Sequence, residues 1–99
     1  MAKRTIPGGL DRAGLIRWLI LDAMREVGRA ETVGALSWMA AQRIGRLRPR
    51  AAEIRAELAR MEADGLVRAV GVEWLVRMRD GRSVVRVSPG YELAEGGAT

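Results

Sequence analysis

The chain has 99 residues, 48% of them apolar, which suits one small domain with a real core and argues against wholesale disorder. It contains no Cys and no His, so a disulfide framework, a thiol nucleophile, an imidazole base and any zinc or iron–sulfur site built on those residues are excluded. Seventeen basic residues stand against twelve acidic ones, a net charge of +5, and the excess is lopsided. Residues 1–49 hold nine Lys/Arg and four Asp/Glu, whereas residues 50–99 hold eight of each.

Such a bias suits a polyanionic partner. Because sixteen of the basic residues are Arg and fifteen residues are Ala, as a GC-rich coding sequence produces unaided, the placement of charge carries more weight than its total. The longest apolar stretch, 18–21, is far short of the ~20 residues that span a bilayer, and Lys3 and Arg4 are followed by no apolar signal-peptide segment. A soluble, cytoplasmic protein is the expectation, with a flexible arm at 1–10, one domain at 11–94 and a frayed tail at 95–99.

In chain order, Asp11 reads as an N-cap. Ile16, Leu19, Ile20, Ala23, Met24 and Val27 then recur at three- and four-residue steps until Gly28, which predicts a helix of about four turns. A short connection leads to Thr32, a second N-cap. Val33, Leu36, Ala40 and Ile44 form the stripe of a second helix that Gly45 breaks. Residues 43–50 read Arg-Ile-Gly-Arg-Leu-Arg-Pro-Arg, with four arginines and no acid. A third helix is expected from about Pro49 to Asp64, with Leu47, Ile54, Leu58 and Met61 on one side, Ala52, Ala56, Ala59 and Ala63 on the other, and Gly65 as its stop.

Beyond Gly65 the period changes to two. Val72, Trp74, Val76 and Met78 alternate with Glu73, Leu75, Arg77 and Arg79, and Asp80 with Gly81 is a strong hairpin signal before a return strand at 82–88. A two-residue turn opposes Arg79 to Arg82, Val76 to Val85 and Trp74 to Val87. Trp74, Val76, Met78, Val85 and Val87 then share one apolar side, and Arg77, Arg79, Arg82 and Arg86 the other. Ser88 and Pro89 suit the start of a last helical turn through Tyr91 and Leu93.

Three helices followed by a two-stranded hairpin is the order of an α+β winged helix-turn-helix. The run 53–67 (EIRAELARMEADGLV), the tip Arg79-Asp80-Gly81-Arg82 and the run 87–93 (VSPGYEL) resemble the second half of small bacterial regulators of the MarR, ArsR and PadR type. More loosely, the chain resembles small winged-helix proteins of Mu-like phages. The resemblance covers about residues 12–95 and implies a dimeric, DNA-binding transcription regulator with its third helix in the major groove and its wing on the minor groove or backbone. Three features depart from it: a longer 44–48 connection, a third helix without an early Ser, Thr, Asn or Gln, and no long C-terminal dimerisation helix.

Double-stranded DNA is therefore the expected partner. Arg43, Arg46, Arg48 and Arg50 are the candidates for phosphate at the docking edge; Arg77, Arg79, Arg82 and Arg86 are those of the wing. Arg50 or Arg55 suits a guanine edge and Glu53 a cytosine amino group, against the plainer reading of intrahelical pairs such as Arg60 with Asp64. Trp18 and Leu21, with Leu15 at their margin, lie off the core stripe and are the candidate homodimer or protein interface, whereas Trp38 and Trp74 are expected to be packed. Ser37, Ser83 and Ser88 have no base beside them, Tyr91 stands alone and the acids form neither dyad nor cage. Neither catalysis, nor a metal, nor a cofactor is expected. The competing reading is a winged-helix protein–protein module with no DNA role, in which the apolar residues carry the function. A lipid-surface role is the poorest fit, because no helix joins a broad apolar face to a purely basic one.

Overall fold

A computed structural model describes residues 6–43 and 47–94. The elements run α1 (Arg12–Val27), β1 (Glu31–Thr32), α2 (Val33–Arg43), α3 (Ala51–Ala63), β2 (Val67–Arg77) and β3 (Ser83–Leu93). The protein is α+β, with three helices and a three-stranded antiparallel sheet of order β1-β3-β2.

The helix boundaries follow local chemistry. The Asp11 carboxylate accepts the Gly14 amide at 2.7 Å and opens α1; Gly28, in the left-handed region at φ 70°, closes it by donating to the Met24 carbonyl. Thr32 Oγ1 accepts the Ala35 amide at 3.2 Å and opens α2. The third helix starts two residues later than the pattern suggested. Arg50 takes the extended N-cap conformation, its amide donating to the Glu53 carboxylate at 3.0 Å.

The apolar stripes meet in one core. Ile16, Leu19, Ile20 and Met24 of α1, Leu36 and Ala40 of α2, Ile54, Leu58 and Met61 of α3, and Val67 at the foot of β2 are all buried. Each large aliphatic there is worth roughly 1.5–3 kcal/mol of burial. Tyr91 and Leu93 pack against the same cluster, so the sheet is anchored at its 67/93 end. The hairpin then runs out of the body, and the molecule measures 52 × 29 × 29 Å.

Three expectations about the sheet are corrected. First, it has three strands rather than two. The connection after α1 contributes β1, with Glu31 opposite Tyr91 and Thr32 opposite Gly90. Gly90 is the enabling residue, since a Cβ there would lie 2.4 Å from the Glu31 carbonyl oxygen. Second, the last helical turn expected at 88–93 is strand: β3 continues to Leu93, held between β1 and β2. Pro89 is tolerated because it faces Gly71 where the ladder does not require its missing N–H.

Third, the hairpin register is shifted by one residue. Leu75 opposes Val85, Val76 opposes Val84 and Trp74 opposes Arg86. The loop has three residues, Arg79, Asp80 and Gly81. The Met78 amide donates to the Arg82 carbonyl at 2.7 Å, the Gly81 amide to the Met78 carbonyl at 3.1 Å, and Gly81 supplies φ 86°. The Asp80 carboxylate also accepts the Arg82 amide, which favours this longer loop. A one-residue shift exchanges faces. Trp74, Val76, Val84 and Arg86 therefore share one side, and Glu73, Leu75, Arg77, Val85 and Val87 share the other.

Candidate nucleic-acid interface

Ion pairing divides the arginines into two groups. Arg43 donates to Asp22 at 2.9 Å, to Glu26 and to the Met39 carbonyl, with its side chain 18% exposed. It is a strut between α1 and α2, and its charge is compensated there. Arg12 holds Glu53 through two bonds, 2.6 and 2.9 Å. Arg17 holds Glu57 at 2.5 Å and Asp64 at 2.8 Å, while Arg60 donates to the other Glu57 oxygen. The expected Arg60–Asp64 pair is not formed: Arg60 pairs within α3 with Glu57, and Asp64 is held by Arg17 of α1. Arg29 pairs with Glu31, Arg68 with Glu92 and, at the hairpin tip, Arg82 with Asp80.

These pairs change what α3 offers. The Arg12 guanidinium, then the Arg50 amide, hold the Glu53 carboxyl down at about 2 from its ordinary 4.5. Glu53 is thereby tied to α1 rather than free for a base edge. Its own hydrogen bond raises Arg12 in return, and the Glu57 hydrogen bond raises Arg17. Glu57 is only 3% exposed, yet both of its oxygens are satisfied.

Among the described residues, Arg25, Arg50, Arg55, Arg77, Arg79 and Arg86 have no carboxylate partner. All but Arg25 lie at the start of α3, on α3 or on the hairpin. Arg55 lines an open concavity of about 800 Å³ between α3, the β1–α2 junction and the sheet, whose wall includes Thr32, Trp74 and Ser88. The Trp74 indole N–H donates to Ser88 Oγ at 2.7 Å, which fixes the ring on that side, and Arg86 opposes Trp74 on the same face. Arg77 sits on the reverse face. The corrected register therefore separates two hairpin arginines that the sequence placed together. Arg48 is exposed with a positive φ of 42°, and Arg46 lies outside the described residues.

The apolar candidates are also redistributed. Leu15, Trp18 and Leu21 are partly buried and packed against the core. Trp38 is the tryptophan that stands out, 65% exposed, and Trp74 is 46% exposed. Leu75, Val85 and Val87 are 70%, 61% and 64% exposed on the reverse face of the hairpin. Sequence reasoning missed this patch because it assumed the two-residue turn; the Met78–Arg82 closure that defines it has no local signal beyond Asp80 and Gly81.

Among the described residues, no group of three or more His, Cys, Asp or Glu is placed to hold a metal ion, and no helix is long and apolar enough to cross a membrane. No family model, curated protein or solved structure matches the chain.

Proposed function

We propose that the protein is a winged-helix protein that binds double-stranded DNA, with the start of α3 and the hairpin as its docking surface. The observation that carries this reading is the partition of charge. Arginines over α1 and α2 are largely neutralised by carboxylates, whereas Arg55, Arg79 and Arg86 have no carboxylate partner and, with Arg50 at the start of α3, belong to the two elements that a winged helix presents to a duplex. The order of elements and the β1-β3-β2 sheet are compatible with that fold. Arg50 lies where the open amides of a helix N-terminus also attract phosphate.

The outward side of α3 is mainly Ala51, Ala52, Ala56, Ala59 and Ala63, with Arg55, Arg60 and Glu62 as its charges. Base readout is therefore limited, and binding rests mostly on the backbone. Control of transcription is the role that the resemblance to small bacterial regulators supplies. Exposed Trp38, together with the alanine side of α3, favours the second reading, a protein–protein module without DNA.

The test is a fluorescence-anisotropy titration on mixed-sequence duplex between ~50 and ~200 mM salt, where each phosphate contact adds about 0.9 to the slope of log K against log salt. Arg55→Ala and Arg86→Ala should each lower the slope by about that amount, and Arg25→Ala should leave it unchanged. Absence of binding at low salt, or an equal effect of Arg25→Ala, overturns the reading in favour of the protein-binding module.

A further inference from the structure

The outer half of the hairpin combines three features that no contact among the described residues uses. The first is an open edge. In the order β1-β3-β2, strand β2 is terminal and eleven residues long, and it contains no Pro. The ladder to β3 is closed at one end by the Met78 amide on the Arg82 carbonyl and at the other by the Ala94 amide on the Leu66 carbonyl. With an unbroken register between, the even-numbered residues of β2 address β3. The N–H and C=O groups of Glu73, Leu75 and Arg77 consequently point away from the sheet.

The second feature is apolar. Leu75 and its cross-strand partner Val85, with Val87 beside them, form an exposed aliphatic face. The third is charge. Glu73 and Arg77 lie on that same face, on either side of Leu75, and among the described residues neither has an ion-pair partner. Four residues apart on one strand, they are ~13 Å from one another and cannot pair within the chain. Their cross-strand neighbours, Val87 and Ser83, are uncharged.

We infer that this edge is the docking site for a second copy of the chain, β2 against β2 in antiparallel fashion, with the two-fold axis at Leu75. Outward hydrogen-bonding groups meet outward groups only when the paired residue numbers are both odd along the join. Of the registers that satisfy this rule, an axis at residue 73 places Glu73 against itself, one at 77 does the same with Arg77, and axes at 74 and 76 set Leu75 against Glu73 and against Arg77. The axis at Leu75 alone sets Glu73 opposite Arg77 of the second copy, and does so twice. Leu75 then meets its own copy, and Val85, Leu75, Leu75 and Val85 run in one row across four strands. On the other face Trp74 lies opposite Val76 of the second copy. The sheet becomes six-stranded and the aliphatic patch continuous across the axis.

Arg86 is on the opposite face and Arg79 is beyond the paired segment, so both remain available. The assembly does not depend on DNA binding, and it is measured without DNA. The interface differs from the one expected at Trp18, whose ring packs against the core.

The experiment is sedimentation velocity of the full chain over a range of concentrations, with circular dichroism confirming that each variant is folded. The wild-type chain should dimerise. Glu73→Arg and Arg77→Glu should each raise the dissociation constant by about tenfold or more, since each creates two like-charge pairs, and combining them should recover most of the loss. In a chain without native Cys, Leu75→Cys should form a covalent dimer on mild oxidation. Val87→Cys should not, because β3 and its copy stand three strand spacings, ~14 Å, apart. A chain monomeric at every concentration, single reversals without effect, a double reversal without recovery, or equal cross-linking through Val87→Cys overturns the inference.

Discussion

The link between α1 and α3 offers a direct measure of what holds α3 in place. Glu57 is almost fully buried, with Oε2 accepting from Arg17 and Oε1 from Arg60. The two arginines are unequal. The Arg17 side chain is 28% exposed and also reaches Asp64, whereas that of Arg60 is 56% exposed and is a neighbour on the same helix. Arg17→Met keeps much of the stem but leaves one oxygen of a desolvated carboxylate without its donor. A charge-assisted hydrogen bond in such a place is worth about 1.5–3 kcal/mol. The Asp64 contact adds little, because that carboxylate is 55% exposed and water replaces the bond. The expected loss is about 2 kcal/mol, or roughly 8–16 °C in Tm for a domain of this size. Arg60→Ala should cost less, about 1 kcal/mol, because the Arg60 guanidinium is half exposed and water can replace it at Oε1. Thermal and urea unfolding followed by circular dichroism give both numbers. Equal losses for the two variants would refute the reasoning, since it rests on the different solvent access of the two guanidiniums.

Three further outcomes are expected. Glu53 has a folded pKa of about 2 against an ordinary 4.5, so its contribution to stability is complete above about 4.5 and is lost as the pH falls towards 2. The difference in urea midpoint between wild type and Glu53→Gln should shrink through that window, and a difference that stays constant rejects the assignment. Gly90→Ala should cost about 1–3 kcal/mol or more, because its Cβ meets the Glu31 carbonyl oxygen at 2.4 Å and Val72 Cγ2 at 2.5 Å. Gly34→Ala in α2, where a Cβ meets nothing, should instead gain about 0.5–1 kcal/mol. Thermal melts of both decide the point, and a Gly90→Ala variant as stable as wild type contradicts the close approach of β1.

Sequence alone determined the elements whose signals are local. Asp11 and Thr32 cap helices because a side-chain oxygen reaches an amide three residues on; Gly28 and Gly65 stop them; and the stripes at Ile16–Met24 and Ile54–Met61 face the core because the helical period requires it. Tertiary structure decided the rest. A two-residue strand such as β1 has no periodicity to read and exists only because Gly90 lets it approach β3. The hairpin register turned on whether two or three residues close the loop, a choice that Asp80 and Gly81 permit either way, and it moved the side chains of β3 to the opposite face relative to those of β2. Which arginines are compensated was equally hidden. Arg12 and Glu53 are 41 residues apart, Arg17 and Glu57 are 40 apart, and Coulombic attraction acts across space rather than along the chain.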